Sequence, residues 1–323
     1  MKTQHFTLNI GVDIAKKKFD TTGLLDNKYK HKTFSNDLNG FAEFTDWFSK
    51  LYGDIKPLIC MESTGIYSQA LADFLVSKGY AVSLVNPAKI HAFAKSQLSR
   101  AKTDKADAKL IAHYAALMQP PLWIPPPANI RQLQALVRRV EHLQEMIQME
   151  TNRLESANSH VETSINTVLT TLEAELKATR EAIKNHIDSD PDLKKRGELL
   201  DSIPGIGNAT IAHLLIALSP HHQFTKAKQV VAFAGLAPKL RESGQWRGTT
   251  HIAKNGDAAL RKALYMPALS AWKYNPLIRQ FCLRLKANGK NGKAVVCAAM
   301  RKLIHLAFGI LKSGKRFDPN FAG

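Results

Sequence analysis

The chain has 323 residues, 45% of them hydrophobic and 22% charged, which is enough apolar material for one large or two ordinary globular domains and excludes general disorder. Its 45 Lys and Arg against 27 Asp and Glu give a formal charge of +18, so a polyanionic partner is the first expectation. Hydrophobic runs are short, Met1-Lys2-Thr3-Gln4-His5 lacks the apolar core of a secretory leader, and Cys60, Cys282 and Cys297 stand far apart without a CxxC pair. A cytosolic protein with reduced core thiols is expected, with no membrane partner, disulfide framework or zinc site.

In chain order, Phe6 to Ile14 is strand-like, and Phe19 to Leu25 and Lys32 to Ser35 follow it as hairpin strands. Asp37 is placed to cap a helix through Tyr52. Pro57 to Glu62 is a short buried strand leading through Ser63-Thr64-Gly65 into a helix that ends near Lys78. Tyr80 to Val85 is the next strand, and Asn86-Pro87 opens another helical region. This alternation predicts a mixed sheet covered by helices.

Prolines at 120, 121, 125, 126 and 127 form a rigid linker that no helix can cross. From Ile130 to Ile187 there is no proline or glycine, and apolar residues from Leu133 to Ile187 recur at spacings of three, four or seven with one gap at Thr179. That spacing predicts a coiled coil or helical hairpin, either one long helix or two with a bend at Asn158-Ser159-His160, and either an intramolecular bundle or a dimerising stalk. Beyond Pro191, Ile203-Pro204-Gly205-Ile206-Gly207 has the form of a helix-hairpin-helix turn. Phe233 to Gly256 is loop-rich and precedes amphipathic helices at Asp257 to Tyr274 and Lys293 to Leu311. The positive charge is concentrated here: residues 201–323 hold 19 basic and 4 acidic side chains, against 16 and 11 in residues 1–118 and 10 and 12 in residues 119–200.

Two carboxylates sit at the ends of apolar strands, Asp13 and Glu62, and two more, Asp104 and Asp107, are three apart on a helix and share a face. Burying a carboxylate on an apolar strand is costly unless it is ligated or hydrogen-bonded. Four converging carboxylates repel one another unless a divalent cation such as Mg²⁺ neutralises them, and two such ions about 3.5–4 Å apart would serve phosphoryl transfer. In the glycine turn, Gly205 and Gly207 would let the backbone approach a phosphate at a helix start. Ser243 lies between Arg241 and Arg247 in a glycine-rich loop, where a hydroxyl could attack phosphorus and arginines could stabilise the developing charge; on local sequence alone, however, a plain turn residue is the better reading of such a serine. Lys254 and Arg261 are further candidate nucleic-acid contacts in the basic third.

Taken together, Gly11-Val12-Asp13-Ile14-Ala15-Lys16, Met61-Glu62-Ser63-Thr64-Gly65, Lys102 to Ala108, Ser202 to Gly207 and Arg261 to Ala268 resemble the DEDD insertion-sequence transposases related to the Piv/MooV DNA invertases. Within that family the chain looks most like the bridge-RNA-guided recombinases. The resemblance implies a RuvC-like, RNase H-like α/β domain over residues 1–119, a proline linker and coiled coil over 120–190, and a mainly α transposase domain over 191–323. It maps an acidic, Mg²⁺-binding tetrad onto Asp13, Glu62, Asp104 and Asp107, and a catalytic serine onto Ser243. It also implies target and donor DNA, a bridge RNA and a dimer assembling into a tetramer as partners, with the protein acting at the bacterial nucleoid. The rival readings are a RuvC-like structure-selective endonuclease that uses water, and a non-catalytic nucleic-acid-binding protein.

Overall fold

The computed structural model describes residues 5–63, 65–97, 103–239, 242–243, 246–247 and 251–320, with the backbone alone for Ile66 and for residues 242–243 and 246–247. The chain forms two compact units, residues 1–125 and 126–323.

In the first unit β1 (Asn9–Ile14), β2 (Lys18–Leu25) and β3 (Lys28–Ser35) form an antiparallel meander. Asp26 and Asn27, both with positive φ (48° and 60°), make the two-residue turn that matches strand twist. That turn carries β3 back to Lys28, four residues before the expected Lys32. The alternation of Lys28 to Lys32 is hidden because both faces of this edge strand are largely polar and exposed. α1 (Leu38–Tyr52) follows, capped as expected by Asp37, whose carboxylate accepts the Gly40 amide at 2.9 Å. Then come β4 (Leu58–Glu62), α2 (Ile66–Ser77), β5 (Ala81–Val85), α3 (Pro87–Ser96) and α4 (Asp104–Met118).

The sheet order is β3-β2-β1-β4-β5, with β4 and β5 running parallel to β1. Side-chain alternation divides its two faces. Ile10, Val12, Ile14, Ile59 and Met61 pack with Phe41, Phe44 and Leu71 of α1 and α2, while Leu58 and Cys60 pack with Ile90, Ile111 and Ala115 of α3 and α4. Asn9, Gly11 and Asp13 therefore share the α4 face, and Glu62 joins them by the same parity on β4.

The second unit is helical apart from two short ribbons. α5 (Ala128–Glu155) and α6 (Ser159–Ser189) are two helices, not one, and they turn at the bend expected around Asn158, whose side chain accepts the His160 amide. The pair is an antiparallel hairpin: at its base His186 Nε2 lies 2.8 Å from the Asn129 carbonyl, and Asn129 donates to Asp190 at 2.7 Å. Leu133 and Val137 of this base enter the unit's core, but farther out Met149, Val161 and Val168 are 51%, 47% and 43% exposed.

α7 (Pro191–Asp201) and α8 (Asn208–Ala217) flank the glycine turn, and α9 (Ala227–Phe233) leads into the ribbons. β6 (Pro238–Lys239) pairs with β9 (His251–Ile252), and inside that loop β7 (Glu242–Ser243) pairs with β8 (Trp246–Arg247). The helix expected over Asp257 to Tyr274 is divided into α10 (Ala258–Ala263) and α11 (Tyr265–Tyr274). Pro267 has no amide to offer the Ala263 carbonyl four residues earlier, and that carbonyl instead accepts the Thr210 hydroxyl at 3.3 Å. α12 (Pro276–Ala287), which the sequence reading missed, is capped by the Asn275 side chain. α13 (Gly292–Ser313) is long and apolar enough to cross a membrane by length and composition, yet half of that stretch is buried, with Val295, Ala299, Leu303 and Ala307 inside the helical core. Of the three thiols Cys60 and Cys282 are buried and Cys297 on α13 is half-buried; none is in a disulfide.

Candidate active site

β1 and β4 run parallel in a register that pairs Gly11 with Cys60 and Val12 with Met61, so the next step along each strand brings Asp13 beside Glu62. Both stand at carboxyl ends of strands, where open α/β sheets present their ligands. α4 completes the site because Gly11 lacks a side chain: a Cβ there would overlap the Ala108 carbonyl and the Ala112 amide. The helix thus lies directly on β1, and its first turn, begun by the Thr103 hydroxyl accepting the Ala106 amide at 3.2 Å, carries Asp104 and Asp107 to the same edge.

The electrostatics record this convergence. Asp13 is pushed up to about 6, first by its partial burial and then by the charges of Asp107, Asp104 and Asp20. Glu62 is raised in the same way, by burial and then by Asp13 and Asp107. Asp104 goes the other way, held below the usual carboxylate range by the Lys18 ammonium 2.8 Å from it.

Lys18 and Asp20 are site residues that the sequence reading missed. Asp20 is directly opposite Asp13 in the β1–β2 ladder and is buried. Its carboxylate accepts the Thr33 hydroxyl at 2.6 Å, and the Lys18 ammonium lies at 3.3 Å and His31 Nε2 at 3.4 Å. The available signal was an acid on a strand of apolar and threonine residues, the same signal that singled out Asp13.

The donors suit a hard divalent cation, being all carboxylate oxygens, and burial together with mutual repulsion leaves Asp13 and Glu62 reluctant to ionise without a countercharge. As they stand, the described residues contain no group of three or more His, Cys, Asp or Glu side chains drawn close enough to hold an ion. The fit is one of chemistry and position.

In the second unit the two turn glycines have different roles. Gly205 has φ +102°, and a Cβ there would stand 2.6 Å from the Ala271 amide nitrogen, so it is required by packing. Buried Asn275 pins the same turn by donating to the Pro204 carbonyl at 3.4 Å. Gly207 has open space around it and precedes exposed Asn208 and Ala209 at the α8 start. Ser243 ends β7, opposite Trp246, and Arg247 pairs with Glu242 on the same ribbon. Arg241, Gly244, Gln245 and Gly248 lie outside the described residues, as do Thr64 and Lys102 of the acidic-site motifs. Lys254 is exposed with φ +57°, and Arg261 gives a guanidinium donor to the Ala234 carbonyl at 2.9 Å.

A DEDD-type transposase profile matches residues 10–158, and the profile of the transposase IS116/IS110/IS902 family matches residues 197–283. The pilin gene-inverting protein of Moraxella bovis is 36% identical over 96% of this chain and 97% of its own length. The chain belongs to the IS116/IS110/IS902 transposase family. A protein of insertion element IS110 from Streptomyces coelicolor is 27% identical over 43% of this chain and 34% of its own, and the transposase of element IS1111A from Coxiella burnetii is 33% identical over 30% and 28%. This transposase is therefore an enzyme of DNA transposition and recombination. The first matched segment of the transposase contains all four acidic residues, and the second contains the glycine turn and Ser243.

Proposed function

We propose that the chain inserts and excises its own mobile element by cutting and rejoining DNA strands, with Asp13, Glu62, Asp104 and Asp107 holding Mg²⁺ and Ser243 as the nucleophile. The observation that carries this reading is the meeting of Asp13, Glu62 and the α4 first turn at one sheet edge, where burial and mutual charge raise two of the carboxylates. The strand order, three antiparallel and two parallel, supports an RNase H-like, RuvC-like unit. Bound there, Mg²⁺ would supply charge stabilisation at the scissile phosphate.

Each remaining step belongs to the chain's own groups. The Ser243 hydroxyl gives up its proton and attacks phosphorus; an Oγ–P bond forms as the P–O bond to the leaving strand breaks, and that strand's oxygen takes a proton. The phosphoserine link retains the energy of the broken bond, so a hydroxyl of the new strand reverses the step without ATP. Arg241 and Arg247 flank the serine in sequence and would stabilise charge on the phosphoryl oxygens. Gly207, at the open start of α8, together with Gly205, Lys254 and Arg261, would grip the nucleic-acid backbone without reading its sequence.

Sequence choice falls to a bridge RNA paired with target and donor DNA, consistent with the excess of cations over residues 201–323. Function divides along residues 1–119, 120–190 and 191–323 as catalytic unit, linker with coiled coil, and serine-bearing unit. The outer part of the α5–α6 hairpin, with its exposed Val161 and Val168, joins copies into a dimer and then a tetramer in the cytoplasm.

Trapping on labelled DNA tests the nucleophile. Wild-type protein should give a covalent adduct that Ser243→Ala abolishes. An adduct that persists in the variant, or free 3′-hydroxyl and 5′-phosphate ends without any adduct, would instead indicate another nucleophile or water. Sequencing of RNA copurified from cells carrying the whole element tests guidance: one discrete transcript from the element's flank is expected, and random cellular RNA would refute it.

A further inference from the structure

Lys18 is the first residue of β2, and its carbonyl accepts the Ala15 amide at 2.9 Å, which fixes the turn after Asp13. Being two residues before Asp20 on one strand, it projects from the same sheet face as Asp20 and Asp13, the face that α4 covers. Its ammonium is 3.3 Å from Asp20 Oδ2 and 2.8 Å from Asp104 Oδ2, so it bridges a buried carboxylate to an exposed one. Asp20 is held from other directions by Thr33 and His31, which makes it the fixed end of the bridge. Asp104, with 57% of its side chain exposed, is the end free to move.

We propose that Lys18 is the internal counter-cation of the acidic site: anchored on Asp20, it holds the Asp104 carboxylate that a divalent cation must take over, and so sets the concentration at which the site fills. The proposal rests on the reading of the acidic tetrad as a metal site. Among the described residues no three acidic side chains stand at ion-holding distance, and Asp104 is the tetrad member that Lys18 holds. Here the ammonium holds two carboxylates, Asp20 and Asp104, whereas a hard divalent ion gathers several. Exchange of one for the other is then a local event, in which Asp104 swings from Lys18 toward Asp13 while Lys18 stays on Asp20.

The test is a titration of full-length, EDTA-treated protein with Mn²⁺, read as the rise of the thermal midpoint, which reports binding without any catalytic step. Lys18→Met should lower the half-saturating Mn²⁺ concentration about two- to fivefold, the amount that loss of an exposed ion pair allows, and Lys18→Arg should return it towards wild type. In an Asp104→Asn background, Lys18→Met should change nothing. Equal half-saturation in wild type and Lys18→Met, or weaker binding in the variant, overturns the role of Lys18 while leaving the metal site intact. No response to Mn²⁺ in either protein overturns the metal site itself, and the counter-cation role with it. Lys18 is half exposed, so the methionine is accommodated in solvent, and an unchanged circular dichroism spectrum verifies this.

Discussion

The Gly11 α-carbon on β1 faces the Ala108 carbonyl on α4 with no room between them for a methyl group. The helix's share of the acidic edge depends on that contact, since it fixes how far Asp107, one residue before Ala108, reaches towards Asp13, two residues after Gly11. Gly11→Ala must push α4 away. The expected cost is about 1–3 kcal/mol, seen in urea denaturation, together with loss of the Mn²⁺-induced rise in thermal midpoint. A variant of wild-type stability would show that α4 yields at no cost and that the close approach is incidental.

The pH dependence of stability has a definite sign. Folding pushes the Asp13 carboxyl up from its ordinary 3.8 to about 6, so the folded state prefers the proton. Below pH 4 both states are protonated and Asp13 has no influence. Between about 4 and 6 its ionisation increasingly disfavours the fold, and above 6 the full penalty applies. Asp13→Asn should thus stabilise metal-free protein above pH 6 by about 1–2 kcal/mol, less than the full shift implies because the side chain is half exposed, and should be neutral below pH 4. Saturating Mn²⁺ should cancel or invert that advantage. Chemical denaturation at pH 3.5, 5 and 7.5 decides the matter, and equal effects at all three refute it.

The two glycines of the α7–α8 turn are expected to behave differently. Gly205→Ala combines a left-handed backbone with a collision at Ala271 and should cost about 2–4 kcal/mol in thermal or urea unfolding. Gly207→Ala meets open space at ordinary φ and should cost only about 0.5–1 kcal/mol, the loss of a good N-cap residue. Conversely, Gly207→Glu should weaken binding of random-sequence duplex DNA and flatten its salt dependence, because it sets a carboxylate against incoming phosphate. Fluorescence anisotropy at several salt concentrations separates these outcomes; undiminished binding by Gly207→Glu would remove the turn from the DNA surface.

The outer hairpin gives the last prediction. Charging Val161 and Val168 together, as Val161→Glu with Val168→Glu, touches residues that are 47% and 43% exposed and should leave the monomer fold intact. In sedimentation velocity the double variant should run as a smaller species than wild type. Identical sedimentation would place the oligomer contact elsewhere.

The sequence made local features legible and contacts between distant segments much less so. Caps at Asp37 and the Asn86-Pro87 helix start depend on a few adjacent residues, and both are found where expected. The acidic residues were recognisable because a carboxylate on an apolar strand needs a reason. Asp20 carried that signal too, but its importance lies in pairing with Asp13 across β1 and β2 and in the Lys18 bridge to Asp104, 86 residues away. The same limit hid the α10–α11 break, where Pro267 could be seen but the Thr210 hydroxyl that takes the released carbonyl could not. α12 was the avoidable miss, since Asn275-Pro276 repeats the Asn86-Pro87 signal.

The cysteines offer a practical benefit. Burial pushes the Cys60 thiol up to about 12 and raises that of Cys282, so neither is poised to react, while Cys297 on α13 keeps a surface open to reagent. A maleimide fluorophore should therefore attach to unmutated protein at one position in the helical unit. A second dye at an engineered cysteine on the sheet unit would then make an optical ruler, able to report whether added nucleic acid changes the distance between the two labelled positions.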